Sequence, residues 1–403
     1  MRRGFLLSLV LVVLSGLVPF AGTATAAPSV CPDAVVPPPP VDTSEQPPPG
    51  VAAPAPLPVP KTAVGGARMG ECGVVYPSGA AVPPDTTAAS WVLQDLETGE
   101  VLAAKNPHAR QRPASLIKTL LALVVIRELK PDQVIVPTVE DASQECTCVG
   151  LVAGGRYTVD LLLHGLLMHS GNDVAHAFAT ALGGVPATVR KMNELAAELG
   201  ATDTRAATPS GLDGPGMSAS AYDMSLIFNY AMKQPEFADS IATRAVQIPD
   251  QPGKPAFSIV NDNKLLGTYN GFLGGKTGFT DDARHTYVGG AEQNGRRVAV
   301  VLMRAENRPT PVVNQAKALL DYGFALARSN ASPVGHLVSP VVSEQAADGG
   351  TTDVAGVSEA GAAGEKDPFG VTGWILTLVV AVIIVAGFVI GHHRKKGQGP
   401  AAY

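Results

Sequence analysis

The chain has 403 residues, of which 46% are hydrophobic, and a formal net charge of −5. That length supports one large domain or two medium ones with a sizeable core. The mild acidity and the lack of a basic stripe exclude a nucleic-acid binder. The 34 prolines and 43 glycines are unevenly spread, and their clusters mark the linkers.

Residues 1–26 read as a signal peptide. Arg2 and Arg3 precede an apolar run from Phe5 to Phe20, and Ala24-Thr25-Ala26 is a small-x-small cleavage pattern. Residues 27–84 read as a proline-rich spacer. Pro37 to Pro40, Pro47 to Pro49 and an alternation of Ala and Pro favour extended polyproline backbone and cannot build a core. An exported chain can keep disulfides, so Cys31, Cys72, Cys146 and Cys148 are expected to pair. Three pairings are open; Cys31 with Cys72 would close a loop around the spacer, and a bridge between Cys146 and Cys148 would be strained. No histidine and cysteine spacing fits a zinc site, and no metal or cofactor is expected.

Residues 85–328 read as the globular domain. Ser90 to Leu96 and Val101 to Ala104 form a hairpin about Thr98-Gly99. A helix after Pro113 carries Leu116, Ile117, Leu120, Leu121, Leu123 and Val124 on nearly every face, so it should be buried. Helices follow over Val159 to Met168, Asp173 to Leu182, Ala187 to Leu199 and Ser220 to Met232, the third closed by Gly200. Extended structure returns around Gly275 to Thr280. Thr286 to Gln293 and Arg296 to Arg304 are strands joined by Asn294-Gly295, a strong hairpin signal. A helix from Val312 to Ala327 closes the domain. Strands, a helical block, strands and a helix predict an α+β fold, an antiparallel sheet flanked by helices with an inserted helical subdomain.

Residues 329–368, rich in Ala, Gly, Ser and Asp, read as a flexible linker. The segment 369–391 contains an uncharged apolar run from Val371 to Ile390, long enough to span a bilayer, followed by His392-His393-Arg394-Lys395-Lys396. The positive flank predicts a cytoplasmic tail over 392–403 and an extracytoplasmic body held at the cell membrane by one C-terminal helix.

Three short patterns stand in order: Ser115-Leu116-Ile117-Lys118, Ser170-Gly171-Asn172 and Lys276-Thr277-Gly278. S-x-x-K alone is weak; the ordered set is specific. Pro113 suits a first helical turn, so Ser115 should sit near a helix N-terminus, where backbone N–H groups favour negative charge. Lys118 projects one turn later on the same face, among apolar neighbours that lower its pKa and make it a competent base for Ser115. Ser170 would relay a proton to a leaving amine, and Asn172 would donate to a substrate carbonyl. Lys276 offers positive charge to a carboxylate and Thr277 a hydroxyl. Gly278 lets a peptide lie against the strand, and the backbone N–H groups of Ser115 and Phe279 would form an oxyanion hole.

These residues resemble the low-molecular-mass penicillin-binding D-alanyl-D-alanine carboxypeptidases. The likeness extends to Arg112-Pro113-Ala114-Ser115, His169 to Ala175, Thr208 to Leu212, Asn261 to Leu266 and Gly274 to Thr280, and looks closest to actinobacterial members. The resemblance implies a penicillin-binding/β-lactamase-like fold and a serine hydrolase. Ser115 would be acylated by the penultimate D-Ala of a peptidoglycan stem, terminal D-Ala would leave, and β-lactam inhibitors would trap the same serine. It also implies an arginine for the terminal carboxylate, with Arg308 the first candidate and Arg304 the second. Two features depart from the family. Phe279 stands where many members have His, and residues 329–368 are too few for the all-β domain that many members carry before their anchor.

Other functions share parts of this pattern. A DD-endopeptidase or transpeptidase uses the same residues, and a non-catalytic wall-binding receptor could keep the cleft. A class A β-lactamase needs a deacylating glutamate about 35 to 40 residues past the second motif, where this chain reads Ala206-Ala207-Thr208-Pro209-Ser210-Gly211-Leu212.

Overall fold

The hairpin expected at the start of the domain forms, with strands Ser90–Asp95 and Glu100–Lys105 joined through Gly99 at φ 72°. Three long strands, Phe272–Thr280, Arg284–Gln293 and Arg296–Ala305, complete the sheet. Asn294 and Gly295, at φ 52° and 73°, supply the left-handed turn that matches strand twist. The last of these strands returns to pair with the first, Val300 opposite Leu93 and Val301 opposite Val92. With the two-residue strands Val74–Val75 and Gly335–His336 also paired to Glu100–Lys105, a seven-stranded antiparallel sheet results, with Phe272–Thr280 at its edge. A computed structural model of the chain describes residues 31–145, 147–329 and 331–339.

Every side chain of Ser90–Asp95 is buried because both faces of the sheet are covered. Alternate residues therefore serve two cores. Val92, Ala299, Val301 and Met303 pack under the helical block with Leu116, Leu120 and Leu121. Trp91, Leu93, Val298, Val300 and Leu302 pack under the final helix Val312–Ser329, against Ala316, Leu319 and Phe324. The helical block falls between the two halves of the sheet, as expected. It contains Lys118–Glu128, Val159–Met168, Asn172–Ala181, Val185–Leu199 and Ala221–Ala231. Thr158 and Ser220 cap two of these helices by accepting from the N–H groups of Leu161 and Asp223, and Gly200 ends a third at φ 84°. A further helix, Pro235–Ala242, and a small hairpin, Ala245–Ile248 with Phe257–Val260, lie between this block and the edge strand in chain order.

Two stretches outside the expected domain differ from the reading above. The proline-rich stretch read as a spacer packs on the domain as a strap. Cys31 and Cys72 are bridged, with Cα atoms 5.3 Å apart. Polyproline backbone makes no hydrogen bonds within itself, and here arginines supply partners. Arg110, 1% exposed at its side chain, donates to the carbonyls of Val35, Leu57 and Pro58 at 2.6–2.8 Å. Arg112 donates to Pro38 O at 2.7 Å and forms a two-pronged pair with Glu45. Gln111 Nε2 donates to Asp33 at 3.0 Å. Within the stretch read as a linker, Gly335–His336 forms a short strand against Glu100 and Val101. Cys148 is also disulfide-bonded. The signal peptide, the apolar segment 369–391, the tail and most of the linker lie outside the described residues, among which no helix is long and apolar enough to cross a membrane.

Candidate active site

Ser115 lies on a tight helical turn, Ala114–Ile117, that runs directly into the buried helix Lys118–Glu128. The turn is entered through Ala114 at φ 47°, a strained conformation for a residue with a Cβ. Its surroundings over-determine it. Thr286 Oγ1 donates to Pro113 O at 2.9 Å. A Cβ on Gly211 would lie 2.0 Å from the Ala114 carbonyl oxygen, and one on Gly278 2.9 Å from the Ser115 nitrogen. Both glycines are present because main chain passes close to main chain there.

Lys118 is fully buried. Its Nζ donates to Ser115 Oγ at 2.9 Å, to Asn172 Oδ1 at 2.8 Å and to the Ser210 carbonyl. Burial, reinforced by the charge of nearby Lys276, holds its amine well below the usual lysine range. A neutral amine keeps two of these hydrogen bonds and has a lone pair for the third, so it can accept the Ser115 proton.

The second motif is brought up from the other side of the cleft. Ser170 adopts φ 62°, again left-handed, at the turn into the helix Asn172–Ala181. Asn172 Nδ2 donates to Glu145 O at 2.6 Å, leaving its second amide hydrogen for another acceptor. Asp173, which sequence reasoning missed, is buried and accepts from the N–H groups of Val149, Gly150 and Leu151 at 2.7–3.0 Å. It pins the loop that carries Glu145 and Thr147 beside the site.

Lys276, on the edge strand, is fully buried and donates to Ser170 Oγ at 2.9 Å. Burial lowers its pKa to about 8, opposed by Asp262. Asp262 also accepts from Thr277 Oγ1 at 3.3 Å. Asp262 and Ser210 fall in segments that the sequence reading singled out without giving them a part; only the fold shows them touching Thr277 and Lys118. The structure thus links the three motifs into one chain of contacts: Ser115, Lys118 and Asn172, then Ser170, Lys276 and Thr277.

Ser115, Asn172, Phe279 and Thr280 line a cleft of about 390 Å³, together with Glu145, Thr147, Asp213 and, from the strap, Asp42 and Ser44. Phe279 is 48% exposed, and its ring lies tilted against that of His285, centroids 4.7 Å apart. Arg308 is exposed and not among the residues lining this cleft. Arg304, half-buried at φ 50°, has an Nε with no hydrogen-bond partner among the described residues. Burial raises the pKa of Asp213 to about 6. Among the described residues, two groups of side chains are close enough to share a cation, His108–Asp203–Asp223 and Glu45–Asp213–Asp282. Neither contains a motif residue, and each faces an arginine, Arg110 at Asp203 and Arg112 at Glu45.

Comparison with known proteins places residues 78–307 in the family model described as D-alanyl-D-alanine carboxypeptidase, peptidase S11. The chain is 46% identical over 257 residues to D-alanyl-D-alanine carboxypeptidase DacB2 of Mycobacterium tuberculosis, covering 62% of this chain and 87% of that one. It is 31% identical over 244 residues to D-alanyl-D-alanine carboxypeptidase DacF of Bacillus subtilis, covering 59% of this chain and 62% of the relative. Among solved structures it resembles a D-alanyl-D-alanine carboxypeptidase from M. tuberculosis (43% identity, TM-score 0.61, 66% of this chain, all of that one). It also resembles the Streptomyces K15 DD-transpeptidase (26% identity, TM-score 0.58, 61% of this chain, all of that one).

Proposed function

Because the chain belongs to the D-alanyl-D-alanine carboxypeptidase family of serine peptidases, we propose that it removes the terminal D-Ala from peptidoglycan stem pentapeptides through an acyl-enzyme on Ser115. The observation that carries this reading is the 2.9 Å contact between Ser115 Oγ and the buried, pKa-depressed amine of Lys118.

The stem peptide lies along the edge strand as an added strand. Its terminal carboxylate meets Lys276 and Thr277. Lys118 takes the Ser115 proton as Oγ attacks the carbonyl of the penultimate D-Ala. The oxyanion is held by the backbone N–H groups of Ser115 and Phe279, in a site where fixed dipoles are worth more than in water. Asn172 donates to the peptide carbonyl upstream. Ser170, polarised by Lys276, passes a proton to the leaving D-Ala nitrogen, and water then hydrolyses the ester. A β-lactam enters by the same route and leaves Ser115 acylated. Arg304 and Arg308 are the remaining candidates for the carboxylate. Export by residues 1–26 and anchoring by 369–391 at the cell membrane belong to this reading; their support is the apolar runs and the basic flank at 392–396.

The test is D-Ala release from diacetyl-L-Lys-D-Ala-D-Ala by the full-length protein, with Ser115→Ala as control. Release that disappears in the variant is expected. A folded wild-type protein that binds the peptide without releasing D-Ala would instead be a wall-binding receptor.

A further inference from the structure

The strap residues 31–62 are held by the segment that leads into the nucleophile. Arg110, Gln111 and Arg112, three to five residues before Ser115, all bond to it. Asp282, just past the edge strand, receives Val41 N–H and Ser44 Oγ–H from the other side. So tethered, the strap presents Asp42 and Ser44 to the cleft that contains Ser115. Their place in the reaction follows from strand direction. Lys276 and Thr277, which meet the terminal carboxylate, lie on one side of Gly278, the residue in contact with Ser115. Thr280 and Asp281 lie on the other side, about 3.3 Å further per residue. A peptide laid along this edge with its carboxylate at Lys276 must send its upstream residues past Thr280, toward Asp42 and Ser44.

We propose that the strap is part of the substrate site: it walls the acyl side of the cleft and selects peptides extending several residues upstream of the scissile D-Ala–D-Ala bond. Asp42 supplies a carboxylate acceptor for amide and amine hydrogens. Its own position is fixed by the Ser44 N–H, which donates to it at 2.8 Å. Ser44 adds a hydroxyl. Arg112 acts as a positioning residue, joining this wall to the nucleophile turn through Glu45 and Pro38.

The inference rests on the carboxypeptidase reading, and one experiment separates the two. D-Ala release by the full-length protein is measured with diacetyl-L-Lys-D-Ala-D-Ala and with the pentapeptide L-Ala-γ-D-Glu-L-Lys-D-Ala-D-Ala, and the ratio of the two kcat/KM values is taken. In the doubly substituted Asp42→Ala, Ser44→Ala protein the ratio of long to short substrate should fall about tenfold, chiefly through KM of the pentapeptide. Release of the strap by Cys31→Ser with Cys72→Ser should lower it in the same direction. A merely structural strap would lower both rates alike, so a ratio held at the wild-type value in both variants overturns the proposal while leaving the carboxypeptidase standing. Absence of release from both peptides by the unaltered protein overturns both.

Discussion

Lys118 and Lys276 are two buried amines within one site, and the proposed mechanism gives them opposite work. Lys118 must be neutral to act, and its depressed pKa prepares it. Replacement by Ala should slow acylation by a fluorescent penicillin by about 10²–10⁴-fold, the range a general base contributes. Lys118→Arg should be no better, because a guanidinium stays protonated. Lys276 must be charged to attract a carboxylate, and it holds its proton only below about pH 8. Activity should therefore rise with pH as Lys118 loses its proton and fall again as pH passes about 8. The profile of kcat/KM reports these groups in the free enzyme. Lys276→Arg keeps its charge throughout and should abolish the alkaline limb. Lys276→Gln removes the positive neighbour that lowers Lys118, so the acid limb should move to higher pH.

At the scale of elements, the site depends on how closely three backbones approach: the turn at Ala114, the loop at Gly211 and the strand at Gly278. Gly211→Ala places a Cβ 2.0 Å from a carbonyl oxygen at φ +87°. The turn bearing Ser115 must then shift, and a displacement of about 1 Å can cost on the order of 10²-fold in rate. The expected result is a fall of that size in acylation rate with a lowered melting temperature, measured by stopped flow and thermal scan. This contact explains what was legible in the sequence. Helices, strands and turns around the motifs could be placed from local signals such as Pro113, Gly200 and Asn294-Gly295. The carbonyl of Ser210 and the carboxylates of Asp173 and Asp262 could not, because their partners are set by contacts far apart in the chain. The helix Pro235–Ala242 was given no place of its own although its signals were local: a leading proline, Glu236 in the first turn, and Phe237 and Ile241 four residues apart on the buried face.

For the whole molecule, the reading of an α+β sheet with an inserted helical block is borne out, and the resemblance to the penicillin-binding carboxypeptidases is matched by family and structural comparison. The proline-rich stretch is where composition misled. Proline and alanine repeats are ordinarily linkers because nothing in them bonds to itself. Whether such backbone docks depends on donors elsewhere; Arg110 carries no signal in the linear text, and Arg112 stands out there only for its place beside the nucleophile. The bridge between Cys31 and Cys72, 41 residues apart, holds the strap. Its removal should cost up to about 4 kcal/mol in the chain-entropy model. Urea unfolding of Cys31→Ser with Cys72→Ser checks this, the loss being smaller if the strap detaches before the domain unfolds.

That bridge also introduces a matter of timing. A disulfide persists only where thiols are oxidised, whereas Ser115, Lys118 and Lys276 need no such chemistry to meet. A newly made, reduced chain would hold its reacting groups in place before the strap is locked. Two stages of maturation are therefore expected, a catalytic centre set by folding and then a boundary set by oxidation, and a reduced protein that still reacts with a penicillin would show the first without the second.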